Sequence, residues 1–480
     1  MIHVYHKNEY LPVYDFGTLY MPVSTPVPVR LWLVAFVTGA GAFMAMLDAT
    51  VANLAVKTIA RDFSASFSDI QWIVTGYLIA LAVSLPLTAW LGQRFGHNRV
   101  WFSSVLLFVT ASVFCALAPN SGFLIAARCL QGAATGVMVP TGQAILTAQA
   151  SRQQLGRLMG TVGFAVALGP ALGPGLGGVI LEVVSWRWLF WINLPFGLMA
   201  LWAAKTVLPA SNTGSTLRFD YRGFALIACG LPLLLYGALR LGVQGGAFGP
   251  VVFTVCGVVF VAAFLVHATR TNQPLIDMDL FKIPGFTVAV ILAGLTGASL
   301  YGGLLFFAMF LQNTLRQPID QAGFGLLLMG LGSAIALPIA GQLTDRYGAA
   351  VSCMLGAVCL LLVTAPFLWP GLLSFWGILL LLFMRGMAVA MVQMPAMTAA
   401  YIAVTKNQTA DAATLINIVQ RVGGAFGAIA VAIVVNKAAL PNAANAGLMG
   451  FVVLCALAGG AIVAAGWMWK GRRIYRATQD

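Results

Sequence analysis

The 480-residue chain is 60% hydrophobic and only 8% charged, where a soluble domain carries about 25% charged residues. Apolar runs of about 20 residues, the length that crosses a bilayer core, recur from Leu31 almost to the C terminus. This excludes a soluble protein and points to an all-α polytopic membrane protein, because in lipid each backbone polar group must be satisfied within its own segment. The formal charge of +13 would suggest nucleic acid in a soluble chain. Here Lys and Arg sit mostly in short loops, where they report topology, so the expected surroundings are the lipid bilayer and no nucleic acid.

Residues 1–30 carry no cleavable-leader pattern and read as a cytosolic N-terminal segment. Fourteen helices are expected, near 31–56, 70–91, 100–118, 122–149, 155–182, 187–208, 222–240, 248–268, 284–312, 320–343, 349–367, 371–398, 410–437 and 446–469. With the N terminus inside, only Lys57, Arg61, Arg187, Arg240, Arg316 and Lys437 fall in outer loops, and Arg128, Arg385 and Arg421 fall within helices. The other basic residues lie inside, which places both termini in the cytosol of a cell whose inner membrane the chain spans. Seven cysteines lie in or beside apolar runs; their spacing suggests neither a metal site nor a disulfide framework, and no cofactor is expected.

An internal repeat is visible. LGQRFG (91–96) is echoed by LTDRYG (343–348), and QGAATGVMVP (131–140) by RGMAVAMVQMP (385–395). Two similar halves are a common transporter construction. The expected organisation is a six-helix bundle over 31–208, two linker helices with their loops over 209–283, a second six-helix bundle over 284–469 and a basic tail over 470–480.

Asp48 is the one acid well inside an expected span; Asp69, Glu182, Asp345 and Asp411 fall at helix ends. At 1.5 Å per residue, Asp48 lies about 12 Å below the outer end of its helix and Arg128 about 9 Å below the outer end of its own. Opposite charges at one depth are expected to pair or to share a wet cavity. A carboxylate there suits proton coupling, because it can be charged in one state and neutral in another; a purely structural ion pair is the alternative. Gly169, Gly173 and Gly177 recur on one helix face. With Pro170, Pro174 and Gly178 they provide either ordinary close packing or a rocking contact between the halves. Arg94, Gly96 and Arg99 in one loop, and Asp345, Arg346 and Gly348 in the other, are expected to signal topology, to gate the inner side, or both. Arg385 and Arg421 are functional charges or interface-packing residues. Asn53, Trp72, Tyr77, Met138, Gln143, Tyr301, Phe306, Phe307, Phe310 and Gln393 are candidate cavity liners, the aromatic faces suiting lipophilic cations; packing is the alternative for each. No GxxxxGK(S/T) phosphate loop is present, so an ATPase of that type is not expected.

LDATVANLA (47–55), AWLGQRFGHNR (89–99), RCLQGAATG (128–136), GPALGPGLGG (169–178), SWRWLFWINLPFG (185–197), PLIDMDLF (274–281) and NIVQRVGGAFG (417–427), in this order, resemble the fourteen-helix drug:proton antiporter branch of the major facilitator superfamily, the EmrB- and QacA-like proteins. The resemblance covers roughly 30–440. It departs at Ala89 and Gln93, where the branch has Gly and Asp, and at Lys57, where it has Pro; the second loop keeps Gly341 and Asp345. The resemblance implies no enzyme. It implies a proton-coupled multidrug efflux transporter that exports small lipophilic, often cationic compounds by alternating access, with Asp48 and Arg128 as its proton-coupling residues. An exporter of a defined metabolite (an amino acid, siderophore or lipid) and a proton-coupled uptake symporter are the alternatives. A monomer is expected. Tripartite assembly with an adaptor and outer channel is disfavoured by the short last outer loop, about 437–446.

Overall fold

The computed structural model describes residues 26–65, 67–208, 218–244, 248–438 and 443–477. Most of the expected N-terminal segment, the linker loop at 209–217, the middle of the last loop at 439–442 and the end of the basic tail lie outside the described residues, as do the side chains of Pro174 and Lys437.

The chain is helical wherever the apolar runs require it. In order, the elements are α1 (Val29–Asp62), α2 (Phe67–Ser84), α3 (Leu87–Phe95), α4 (His97–Ala116), α5 (Ser121–Gln149), α6 (Leu155–Val183), α7 (Trp188–Trp191), α8 (Asn193–Val207), α9 (Tyr221–Gln244), α10 (Phe248–Arg270), α11 (Pro284–Met309), α12 (Ile319–Tyr347), α13 (Ala349–Thr364), α14 (Phe375–Ile402), α15 (Thr409–Ala438) and α16 (Ala443–Ala477). Among the described residues, 12 single helices are long and apolar enough to cross a membrane, or 13 with the bent α2–α3 pair. The pair bends by 55° at Pro86, which lacks the N–H that would continue the helix. The stretch expected as one span over 187–208 is broken at Ile192, leaving α8 with 15 residues. Counting it, the structure is compatible with fourteen.

Side-chain caps start the helices where the sequence breaks. Asn120 accepts from the Phe123 N–H at 2.8 Å and Ser374 from the Gly377 N–H at 3.1 Å. The two repeated loops make the same turn: Gly96 and Gly348 stand at φ 88° and 85°, a region that strains any side chain. The repeated helix motif also packs alike. A methyl group on Gly132 would collide with the Tyr77 carbonyl of α2, and one on Gly386 with the Met329 carbonyl of α12.

Helix packing separates a first half, in which α1 lies on α6 and α2 and α4 lie on α5, from a second half, in which α11 lies on α15 and α12 and α13 lie on α14. Helices α9 and α10 pair with each other, and α9 leans on both α2 and α15. We use "lower" for the face at which α1 begins and "upper" for the opposite face.

Candidate functional site

Asp48 of α1 and Arg128 of α5 form an ion pair inside the first half, 2% and 1% exposed. Both side chains face the interior of the half, where an unpaired charge would be costly. Polar neighbours complete the network. Gln131 Nε2 donates to Asp48 Oδ1 at 3.3 Å and to Ser112 Oγ at 2.7 Å, while Gln131 Oε1 accepts from Arg128 Nη1 at 2.8 Å. Asn193 Nδ2 donates to Asp48 Oδ1 at 3.0 Å. The Arg128 guanidinium lies 4.3 Å above the Tyr77 ring, and the Tyr77 hydroxyl reaches Thr135 Oγ1 at 3.1 Å. Sequence reasoning missed Ser112, Gln131 and Asn193 as partners. Gln131 and Asn193 stand within motifs already singled out, and the available signal was a lone amide in an apolar run near the depth of Asp48.

Helix α6 connects this site to the other half. Gly169, Gly173 and Gly177 form its buried face, as their spacing requires, but that face meets α1 of the same half. A Cβ on Gly169 would stand 2.7 Å from the Leu47 nitrogen, and one on Gly173 would stand 2.7 Å from Thr50 Cγ2. The contact between the halves expected of these glycines is made elsewhere, at the lower end of α6, where Gly156, Gly160 and Gly163 lie against Gly341, Pro338 and Leu337 of α12. The shift has a simple cause: small residues let backbones approach, and α6 carries two such stripes, each facing a different neighbour. Pro170 is exposed, Gly178 is half-buried and the side chain of Pro174 is outside the described residues.

Among the described residues, three sets of side-chain hydrogen bonds join the halves toward the lower face. Asp345 accepts from the Gly156 and Arg157 backbone N–H groups at 2.8 and 3.1 Å, and from Arg157 Nε at 2.9 Å. Its carboxylate thus sits on the positive end of α6. At the matching place in the first repeat, Gln93 Nε2 donates to Asp411 Oδ2 of α15 at 2.9 Å. The acid missing from the first loop therefore stands on the facing helix. Further up, Gln143 Oε1 accepts from the Tyr401 hydroxyl at 3.1 Å and from Asn417 Nδ2 at 2.8 Å. Arg94, Arg99 and Arg346 are exposed at this face, Arg346 lying 5.3 Å from the Tyr347 ring.

The remaining candidates scatter. Phe306, Phe307 and Phe310 are at most 2% exposed and pack with Phe367 and Phe451 in the core of the second half, so they do not line a space between the halves. One residue in three or four along α11 faces inward whatever its chemistry, and these aromatics fill that face. Met138 is likewise core, against Gly41. Trp72 stacks on Tyr236 of linker helix α9 with centroids 6.5 Å apart. Tyr301 is 43% exposed and abuts Gly424; Asn53 is exposed and Gln393 half-buried. Among the described residues no cluster of His, Cys, Asp or Glu could hold a metal ion.

Two helical halves of repeated architecture, clasped at one face, with a buried ion pair in one of them, are a construction typical of membrane transporters. Residues 38–428 match the model of the Major Facilitator Superfamily, and the chain belongs to that family. It is 35% identical over 390 residues to the "Multidrug resistance protein B homolog" of Mycobacterium tuberculosis (strain CDC 1551 / Oshkosh), covering 80% of this chain and 72% of the relative. The proton:xylose symporter XylE shares the fold with a TM-score of 0.62 at 16% identity, covering 92% of this chain and 96% of XylE. The human organic anion transporter MFSD10 does so with a TM-score of 0.62 at 18% identity, covering 92% of this chain and all of MFSD10.

Proposed function

We propose that the protein is a proton-coupled multidrug efflux transporter of small lipophilic compounds, working as a monomer in a cell's cytoplasmic membrane with its lower face in the cytosol. The name of the Mycobacterium tuberculosis relative supports export of drugs. The excess of Lys and Arg in the lower loops supports the orientation. The observation that carries the coupling is the Asp48–Arg128 pair, buried beside the α1–α6 contact.

The physics of the pair sets the cycle. Protonating Asp48 in place would leave Arg128 buried without its counter-ion, a cost of about 3–5 kcal/mol. One proton crossing the membrane supplies only about 2.3 kcal/mol per 100 mV. Protonation is therefore tied to a rearrangement that lets water or a new acceptor reach Arg128. Gln131 Oε1 and the Tyr77 ring are already in place for part of that task. Neutral Asp48 frees α1, and α1 moves α6 through the glycine face. The lower end of α6 then leaves Gly341 and Asp345, and the cytosolic side opens. Return of the proton to the cytosol restores the pair and the clasp.

Dye efflux from everted vesicles tests this reading. The wild type should export several unrelated dyes when a pH gradient is imposed. Asp48→Asn should reach the membrane in normal amount and lose gradient-driven export at least tenfold. Undiminished export by that variant would sink the proposal. An epitope tag at the C terminus that is reached only after permeabilisation would support the orientation.

A further inference from the structure

Above the Gln143–Tyr401–Asn417 layer, the first side chain of α15 on the same side as Asn417 is Arg421, since residues four apart stack on a helix face. The other side of α15 is committed to α11, Gly423 against Gly294 and Gly427 against Ala298. Arg421 therefore faces the first half, on the side of α15 that carries Asn417 and its bond to Gln143. Twelve residues into α15, it lies about 18 Å from the lower end, near the middle of the membrane core. It is half-buried and makes no hydrogen bond or ion pair among the described residues.

Among the described residues, no hydrogen bond or ion pair joins a carboxylate to it. Asp48 is turned into the first half and held by Arg128, Gln131 and Asn193. Asp345 and Asp411 are bound at the lower face, and Asp62 holds Arg187 and Trp186 at the upper face. The second half adds another uncompensated cation at mid-depth: Arg385, 0% exposed, has Ser299 and the Phe307 ring for company and a buried Nε without a partner. Among the described residues, the mid-depth interior thus holds three guanidinium groups, Arg128, Arg385 and Arg421, against one carboxylate, Asp48.

We propose that Arg421 is the residue that holds the charged end of the substrate, and that this end is an anion: a carboxylate, sulfonate or phosphate on an apolar body. Asn417 and Gln143 supply amides one turn below. The inference rests on the efflux reading and sets the sign of the preferred substrate. The aromatic wall expected for lipophilic cations is not formed by Phe306, Phe307 and Phe310, which are core, and the charge of Arg421 is positive.

The test uses purified full-length protein, an anionic naphthalene sulfonate dye and the tetraphenylphosphonium cation. Equilibrium binding is measured in detergent and pH-driven transport in proteoliposomes. The sulfonate should bind. Arg421→Gln should weaken that binding at least tenfold without shifting thermal unfolding, and Arg421→Lys should retain an intermediate affinity. Sulfonate binding unchanged in Arg421→Gln, or binding of phosphonium alone, overturns the anion site. Sulfonate binding lost in Arg421→Gln, with no gradient-driven transport of either probe by the wild type, upholds the site and overturns the efflux reading instead.

Discussion

The two halves bury a guanidinium on matching helices and treat it differently. In the first, Arg128 meets Asp48, and two amides and a hydroxyl close the network. In the second, Arg385 occupies the echoed motif on α14, but Ser299 of α11 stands where an acid would complete the pair, accepting from Nη2 through both its hydroxyl and its carbonyl at 3.0 Å. One scaffold has been used twice, and among the described residues the second copy places no acid beside its buried guanidinium. Its counterpart is a fixed cation with an aromatic ring 5.1 Å away. Under the proposed cycle, coupling chemistry sits in one half and fixed charge in the other, so that a proton in the first changes how the second is presented to the substrate.

This contrast can be broken most sharply through stability. Asp48→Ala leaves Arg128 buried and unpaired, and should cost about 3–5 kcal/mol in thermal unfolding of the detergent-solubilised protein. The double variant Asp48→Asn with Arg128→Gln should regain most of that. A smaller loss, about 1–3 kcal/mol, is expected for Gly173→Val, which drives a branched side chain into Thr50 of α1; transport should fall further than stability does. Arg385→Met should change stability by less than about 1 kcal/mol or raise it, because it removes a buried charge without stranding a partner acid. Losses of similar size at Arg385 and Arg128 would show that the halves are energetically alike.

Much of this was legible in the residues. The all-helical class, the repeat and the shared depth of Asp48 and Arg128 follow from apolar run lengths, echoed motifs and a 1.5 Å rise, which tertiary context does not alter. The neighbour of a helix face is harder to read. The spacing of Gly169, Gly173 and Gly177 identifies a close-packing stripe but not its partner, which is α1 and not the opposite half. Phe306, Phe307 and Phe310 looked like cavity walls because composition does not tell an inward face from a face between halves. Gln93, where the branch has an acid, read only as a departure from the family's loop. Its compensation, Asp411, lies 318 residues away on another helix and needed the fold to be seen.

The same contrast recurs in miniature at the lower face. Asp345 engages Arg157 and the start of α6, whereas Gln93 engages an acid on α15. Gln93→Asp, the residue the resemblance expects, would set two carboxylates against each other and should loosen the clasp, seen as faster thiol labelling of a cysteine placed at Thr414 in a cysteine-free background. Gln93→Ala should have the smallest effect of the series, about 1 kcal/mol, the worth of one partly buried hydrogen bond.

The most direct measurement is proton movement itself. Purified wild-type protein in proteoliposomes carrying an internal pH dye should take protons across the membrane when a transported substrate is added on one side, and Asp48→Asn should bind the same substrate with no proton flux. Proton flux in Asp48→Asn equal to that of the wild type would contradict the assignment of coupling to the Asp48–Arg128 pair.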